Sequence, residues 1–91
     1  MPTSFSMLGW ALNEEESVAE YVDRAEKLLR SLTDDFELIL IDDGSTDRTA
    51  DIVRSCAATR PWLRLVQNDR RRGPGYNTKR AIGLSTKDYL F

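Results

Sequence analysis

An open α/β fold built on a parallel sheet is the architecture this sequence predicts, and three observations predict it. Short apolar runs alternate with amphipathic stretches of helical period, in the order β-α-β-α-β-α-β. The run Leu38-Ile39-Leu40-Ile41 is apolar on both faces, as a strand is when helices cover both sides of its sheet. Polar clusters rich in turn residues follow each of the first three runs, at the strand ends where open α/β sheets bind ligands. Helical crossovers make the connections parallel and right-handed, so the sheet is expected to be doubly wound and Rossmann-like.

Each element has its own signal. Phe5 to Leu12 is a short apolar run that reads as the first strand, with Gly9 an oddity inside it. Asn13 follows as the predicted N-cap of the first helix, with Glu16 three residues on at the capping-box position. Glu14 and Glu15 suit the positive end of a helix. Val18, Tyr21, Val22, Ala25, Leu28, Leu29 and Leu32 recur at three- and four-residue steps, which predicts a strongly amphipathic helix. Thr33-Asp34-Asp35 reads as a turn, and Phe36 to Ile41 as the second strand. A second helix is expected from about Asp47, burying Ile52, Val53, Cys56 and Ala57, and Pro61 closes that region. Leu63 to Val66 predicts a third strand, and Asn68 to Gly75 a polar, basic loop. Tyr76 to Ser85 predicts a third helix with Ala81, Ile82 and Leu84 apolar, and Asp88 to Phe91 begins a fourth strand.

Ninety-one residues make one small domain with a modest core. The longest uninterrupted apolar run, Leu38 to Ile41, is far too short to span a membrane. The first residues lack the basic region and apolar core of a secretory signal. The single cysteine, Cys56, excludes an internal disulfide and fits a reducing, cytoplasmic setting. The absence of histidine removes Ser-His-Asp and Cys-His catalysis and most zinc sites. Charge is unevenly placed. Residues 1–59 hold 13 acids and 5 bases, whereas residues 60–91 hold 2 acids and 8 bases. The basic third is either a phosphate-attracting surface or a solvated one.

Three polar clusters carry chemistry. The first is Ala11-Leu12-Asn13-Glu14-Glu15-Glu16. Asn13 and the neighbouring backbone either hold a nucleoside at a helix N-terminus or simply cap the helix. The second is Asp42-Asp43-Gly44-Ser45-Thr46-Asp47. Two adjacent carboxylates at a strand mouth repel one another and are costly to bury, which reads as a site aimed at a ligand. A carboxylate there accepts from a base N–H or from ribose hydroxyls. The competing reading has Asp42 capping the turn and Asp47 capping the second helix. Haloacid-dehalogenase phosphatases fit poorly, because the position two residues after the nucleophile is Gly44. Receiver domains fit poorly as well, because their acidic pair follows the first strand.

The third cluster is Asn68-Asp69-Arg70-Arg71-Arg72-Gly73-Pro74-Gly75. Gly73 and Gly75 let a backbone approach a ligand, and a helix N-terminus with arginines suits a diphosphate. The third glycine of a dinucleotide fingerprint would fall at Thr78, so that pattern is incomplete, and a solvated arginine loop is the other reading. Lys79 and Arg80 lie one turn into the helix, where Lys79 would be within reach of a phosphate bound at the loop. Nucleic acid is disfavoured as a partner, because aromatic residues are not interleaved with the basic ones.

Taken together and in this order, the three clusters resemble the N-terminal half of family 2 glycosyltransferases with the GT-A fold. The residues that carry the resemblance are Ala11-Leu12-Asn13-Glu14-Glu15, Ile41-Asp42-Asp43-Gly44-Ser45-Thr46-Asp47, and Asn68 to Gly75 leading to Ala81-Ile82. It covers essentially the whole chain, and Asn13 to Glu16 looks most like the polyprenyl-phosphate sugar transferase branch. The resemblance implies a nucleotide-diphosphate-sugar donor. It implies that Asp43 binds the base and that Ala11, Leu12 and Asn13 line the nucleoside pocket. Glu14 or Glu15 would approach the ribose, and Asp42 would support the loop with Gly44 at its turn. Gly73, Gly75 and Lys79 would lie near the donor.

The same resemblance implies Mg²⁺ or Mn²⁺ on the diphosphate, held by an Asp-x-Asp motif after the fourth strand, and a later carboxylate as base. Neither motif falls within residues 1–91. Those residues therefore read as one truncated nucleotide-sugar-binding domain, expected to bind no metal through its own ligands and to be inactive alone. The expected partners are the sugar nucleotide and a polyprenyl-phosphate acceptor. Trp10 stands where the family often has proline, and its indole is expected to narrow the pocket. The reading kept beside this one is a non-catalytic nucleotide-binding module that self-associates through an uncovered sheet edge.

Overall fold

The computed structural model describes residues 3–91. Its elements run β1 (Ser4–Ala11), α1 (Val18–Leu32), β2 (Asp35–Asp42), α2 (Thr49–Ala57), β3 (Leu63–Gln67), α3 (Pro74–Leu84) and β4 (Tyr89–Leu90). The four strands form one sheet in the order β3-β2-β1-β4, and every pairing is parallel. The expected α/β class and doubly wound winding are both present. The chain moves outward from β1 to β3, then returns to the other side of β1, which puts the topological switch between β1 and β4.

Strand alternation sorts the core into two layers. Phe5, Met7, Ala11, Leu38, Leu40, Leu63 and Leu65 face one side and pack against Val18, Val22, Ala25 and Leu29 of α1 and Val53 of α2. Ile39 and Ile41 face the other side, where they meet Leu8, Val66 and, from α3, Ala81 and Leu84. Leu38 to Ile41 are essentially inaccessible, as a strand covered on both faces must be.

Several boundaries depart from the sequence reading. The first helix begins at Val18, not after Asn13, so Asn13 is no N-cap and Glu16 closes no capping box. Asn13 takes a left-handed φ of 53°, and the Glu14 carbonyl accepts from the N–H groups of Ser17 and Val18 in a separate turn. Leu28, Leu32 and Ile82 fit the helical period yet are exposed. Three-residue and four-residue steps mark a stripe wider than the face the sheet covers. Asp35 belongs to β2 rather than to the preceding turn, and it pairs with Lys87 from the α3–β4 connection. The third helix starts two residues earlier than expected, at Pro74, whose fixed φ suits a first helical position.

Gly9 has a packing reason. A Cβ there would lie 2.2 Å from the Tyr21 hydroxyl oxygen and 2.9 Å from Cζ, so α1 seats its tyrosine on bare β1 backbone. Burial pushes the Tyr21 phenol pKa up. Gly9→Ala is expected to cost about 1–3 kcal/mol by overpacking. A denaturant double-mutant cycle with Tyr21→Ala should recover most of that loss, and full additivity would refute the contact as its cause.

Candidate functional site

The three clusters of the sequence lie together at the carboxyl end of the sheet, and their hydrogen bonds show how. The β1–α1 turn is stitched to the β2–α2 loop and the first residue of α2 by a set of hydrogen bonds. The Asn13 N–H donates to Ser45 Oγ (2.9 Å), the Glu14 N–H to Thr49 Oγ1 (2.9 Å) and the Glu15 N–H to Asp47 Oδ2 (3.3 Å). In return the Thr46 N–H donates to Asn13 Oδ1 (2.9 Å). Asp47 also accepts from the Thr49 N–H (2.9 Å), so it does serve the start of α2. The hydroxyl and N–H of Thr49 and the N–H of Glu15 hold the Asp47 carboxyl below the usual carboxylate range. Ser45, Asp47 and Thr49 thus build the first loop, a role that sequence reasoning missed. Thr49 carried a signal: it sits one turn before Val53, a polar residue on the buried face of α2.

The acidic pair is not a side-by-side pair. Asp42 pairs in register with Ala11 and Gln67, on the α1–α2 side of the sheet, and its Oδ1 accepts the Ser45 N–H at 3.1 Å. Asp43 turns to the α3 side. Its Oδ1 accepts from Asn68 Nδ2 (2.8 Å) and the Arg72 N–H (2.8 Å), and its Oδ2 from the Gly73 N–H (3.1 Å). The repulsion expected between neighbouring carboxylates is therefore relieved by strand alternation.

Asp43 is only 4% exposed. Burial pushes its carboxyl up, but the Arg72 N–H, Asn68 and the Gly73 N–H together outweigh burial and hold it below its ordinary value. The Asn77 amide lies close by, outside hydrogen-bonding geometry, and adds to the same effect.

Gly44 allows the third loop to close over the second. It has a φ of 84°, and a Cβ there would lie 2.6 Å from the backbone of Arg70 and Arg71. Any side chain would be strained and would push that loop away. Arg72 turns back, pairing with Asp69 (3.0 Å) and lying over the Tyr76 ring. Gly73, at a φ of 87°, and Gly75 have open space around their Cα positions. Lys79 is exposed on α3. Of the predicted site residues, Asn13, Glu14 and Glu15 are joined to the second loop, and Asp43 and Gly44 to the third. Gly75 and Lys79 make no hydrogen bond outside α3 among the described residues.

Two residues beside Asp43 were given no role by the sequence: Asn68 stood only as the start of the third cluster, and Asn77 went unnamed. Asn68, at the end of β3, and Asn77, in the first turns of α3, are both buried beside Asp43. Asn77 precedes Ala81 and Leu84 by four and seven residues, so its place on the buried face was readable from helical spacing. Ala11 is buried, Leu12 half-buried, and Trp10 49% exposed. Trp10 borders a cleft of about 190 Å³ shared with Ala11, Glu14, Ser17, Val18 and Tyr21. Among the described residues no three His, Cys, Asp or Glu side chains converge as metal ligands, and Asp42 and Asp43 face opposite sides of the sheet.

Comparison with known proteins agrees with this geometry. A family model described as glycosyl transferase family 2 matches residues 10–91. An undecaprenyl-phosphate 4-deoxy-4-formamido-L-arabinose transferase of Edwardsiella ictaluri is 43% identical over 54 residues, covering 59% of this chain and 16% of that protein. A dolichyl-phosphate beta-glucosyltransferase of Dictyostelium discoideum is 36% identical over 86 residues, covering 87% and 26%. A mannosyltransferase of Pyrobaculum calidifontis, solved with GDP-Man and Mn²⁺, superposes with a TM-score of 0.83 at 25% identity, over 99% of this chain and 26% of its own. The chain therefore spans well under a third of the length of these relatives, and its sheet is the parallel α/β arrangement that GT-A glycosyltransferases share. With the family matched across almost all of its length, the chain belongs to glycosyl transferase family 2.

Proposed function

We propose that this chain forms the nucleotide-binding part of a glycosyltransferase that moves a sugar from a nucleotide-diphosphate donor to a polyprenyl-phosphate acceptor. One observation carries the reading. Three separate loops meet at the carboxyl end of a parallel sheet, and two of them are drawn together by a buried, ionised Asp43. Ala11, Leu12 and Asn13 line the nucleoside pocket, with Glu14 or Glu15 towards the ribose. The Asp43 Oδ2 atom accepts one internal bond, and a carboxylate oxygen has room for a second, the position assigned to a base N–H. Asp42 supports the loop through Ser45, and Gly73, Gly75 and Lys79 flank the donor.

A Mg²⁺ or Mn²⁺ ion on the diphosphate is part of this reading, in keeping with the Mn²⁺ in the mannosyltransferase complex. The acceptor class follows the names of the curated relatives, and the donor class follows the mannosyltransferase bound to GDP-Man. No helix among the described residues is long and apolar enough to cross a membrane. The reading places the domain in the cytoplasm, in keeping with the free Cys56 thiol.

Thermal denaturation with UDP, GDP and their sugars, each with and without Mn²⁺, tests the reading. A nucleotide at a hundred times its Kd should add about 2.7 kcal/mol of stability. The absence of any shift at millimolar nucleotide would sink it. A second reading, self-association, is favoured by exposed Tyr89 and Phe91 at the β4 edge. A concentration-dependent dimer without nucleotide affinity, seen by light scattering, would select it.

A further inference from the structure

A directed chain of hydrogen bonds runs behind Asp43. Arg80 Nη1 donates to Asn68 Oδ1 at 2.8 Å, and Asn68 Nδ2 donates both to Asp43 Oδ1 and to Asn77 Oδ1, each at 2.8 Å. Its two ends set its direction, because a guanidinium only donates and a carboxylate only accepts. Asn68 therefore has one tolerable orientation. Turned over, it would set its carbonyl oxygen against Asp43 and its NH₂ against Arg80. Asn77 must then offer its own oxygen to Asn68, which leaves Asn77 Nδ2, in a fully buried residue, without a hydrogen-bond partner among the described residues. The interior accepts that cost with the rest of the chain held in place.

We propose that Asn68 and Arg80 are positioning residues of the nucleotide site: Arg80 fixes the orientation of Asn68, and Asn68 holds Asp43 where it clamps the backbone of Arg72 and Gly73. The inference rests on the nucleotide-binding reading of that site and adds to it two residues that need touch no ligand. The clamp sets the height of the Arg70–Gly73 loop above Gly44, where backbone meets backbone too closely for any side chain. Without Arg80, Asn68 Oδ1 loses its donor and the orientation of Asn68 rests on Asp43 and Asn77 alone, so its dipole favours the ionised carboxylate less and the loop is anchored more loosely. Among the described residues, the groups that bear on Asp43 come from β3, α3 and the loop between them. Asn68 comes from the end of β3. Asn77 and, through Asn68, Arg80 come from α3. The N–H groups of Arg72 and Gly73 come from the loop. The neighbouring Asp42 points to the opposite face of the sheet.

Arg80 is exposed, so Arg80→Met should fold, and Arg80→Lys keeps a donor. Calorimetric titration of GDP and UDP into the protein across pH is the measurement. Arg80→Met is expected to weaken nucleotide binding about tenfold, in line with losing one charge-assisted bond. The acid limit of binding should also move to higher pH as the Asp43 carboxyl relaxes towards its ordinary value, and Arg80→Lys should restore much of both. Unchanged affinity and an unchanged pH profile in Arg80→Met would overturn the inference. So would weaker binding with no shift of the acid limb, which would make Arg80 a direct ligand contact instead.

If the wild-type protein binds neither nucleotide, the reading of the site fails, and the relay is judged on its own. Amide hydrogen exchange at Arg72 and Gly73 should then be at least several-fold faster in Arg80→Met than in wild type. Equal protection in the two proteins would overturn the relay.

Discussion

Replacing Asp43 by alanine is expected to abolish measurable nucleotide binding and to destabilise the fold by about 3–5 kcal/mol. The size follows from what the carboxylate holds. Three donors converge on it, and two of them are backbone N–H groups of Arg72 and Gly73 that cannot turn elsewhere. Their loss frees the basic loop from Gly44 and leaves Asn68 with one acceptor in place of two. Asp43→Asn makes a sharper comparison. It keeps the shape and one acceptor oxygen, but sets an NH₂ group against either the Gly73 N–H or the pair of donors at Oδ1. About half of the alanine penalty is expected, with nucleotide affinity still lost. Denaturant unfolding and titration calorimetry on the two variants separate the effects. An Asp43→Asn protein that binds nucleotide as wild type does would show that the ionised carboxylate is not needed at the site.

The division between what could and could not be read from the residues has a physical basis. Leu38 to Ile41 announced a strand buried on both faces, because no exposed surface tolerates four consecutive large aliphatics. The Asp42-Asp43-Gly44-Ser45 stretch announced a strand-end loop for an equally local reason. The link between Asp43 and its partners was out of reach. Asn68 is 25 residues away and Arg72 is 29 away, and no spacing rule links a carboxylate to a backbone N–H in another loop. Asn13 shows the opposite failure. Its local signals for an N-cap were sound, yet its Oδ1 is taken by the Thr46 N–H of a neighbouring loop, and the helix starts five residues later. Leu28 and Ile82 fail in a third way. Periodicity reports which residues share a face of a helix, not how far the sheet extends beneath it.

Glu37 carries the second large effect, at the opposite end of the sheet. It is 5% exposed on the α3 face of β2 and anchors the connection that returns the chain to β4. Its Oε2 accepts from Ser6 Oγ (2.7 Å), the Thr86 N–H (2.8 Å) and Thr86 Oγ1 (3.0 Å), and its Oε1 from Arg64 Nη1 (3.1 Å). The same Arg64 nitrogen donates to the Leu84 carbonyl (2.7 Å) at the last turn of α3, where a cation is favoured. Glu37→Gln places an NH₂ group where donors already point. With NH₂ at the Oε2 position it meets the Thr86 N–H, which cannot rotate away; with NH₂ at the Oε1 position it meets Arg64, and the ion pair is lost in either case.

The expected cost is about 2–4 kcal/mol, and each kcal/mol lowers Tm by about 4–8 °C in a domain of this size. That is a large share of the about 5–15 kcal/mol that holds a small domain together. The pH dependence has a definite sign. Burial pushes the Glu37 carboxyl up, but the bonds from Ser6, Thr86 and Arg64 outweigh it and hold the group below its ordinary 4.5. Asp43 is likewise held below 3.8. A depressed carboxylate stabilises the fold fully above its unfolded value and loses that contribution as pH falls through its folded value. Stability should therefore be level above about pH 5 and should fall steadily below about pH 4, since both groups must protonate. Glu37→Gln is expected to be less stable at neutral pH and to lose a smaller increment on acidification. Denaturant midpoints from pH 7 to pH 3 measure both, and parallel curves for the two proteins would show that Glu37 does not titrate with folding.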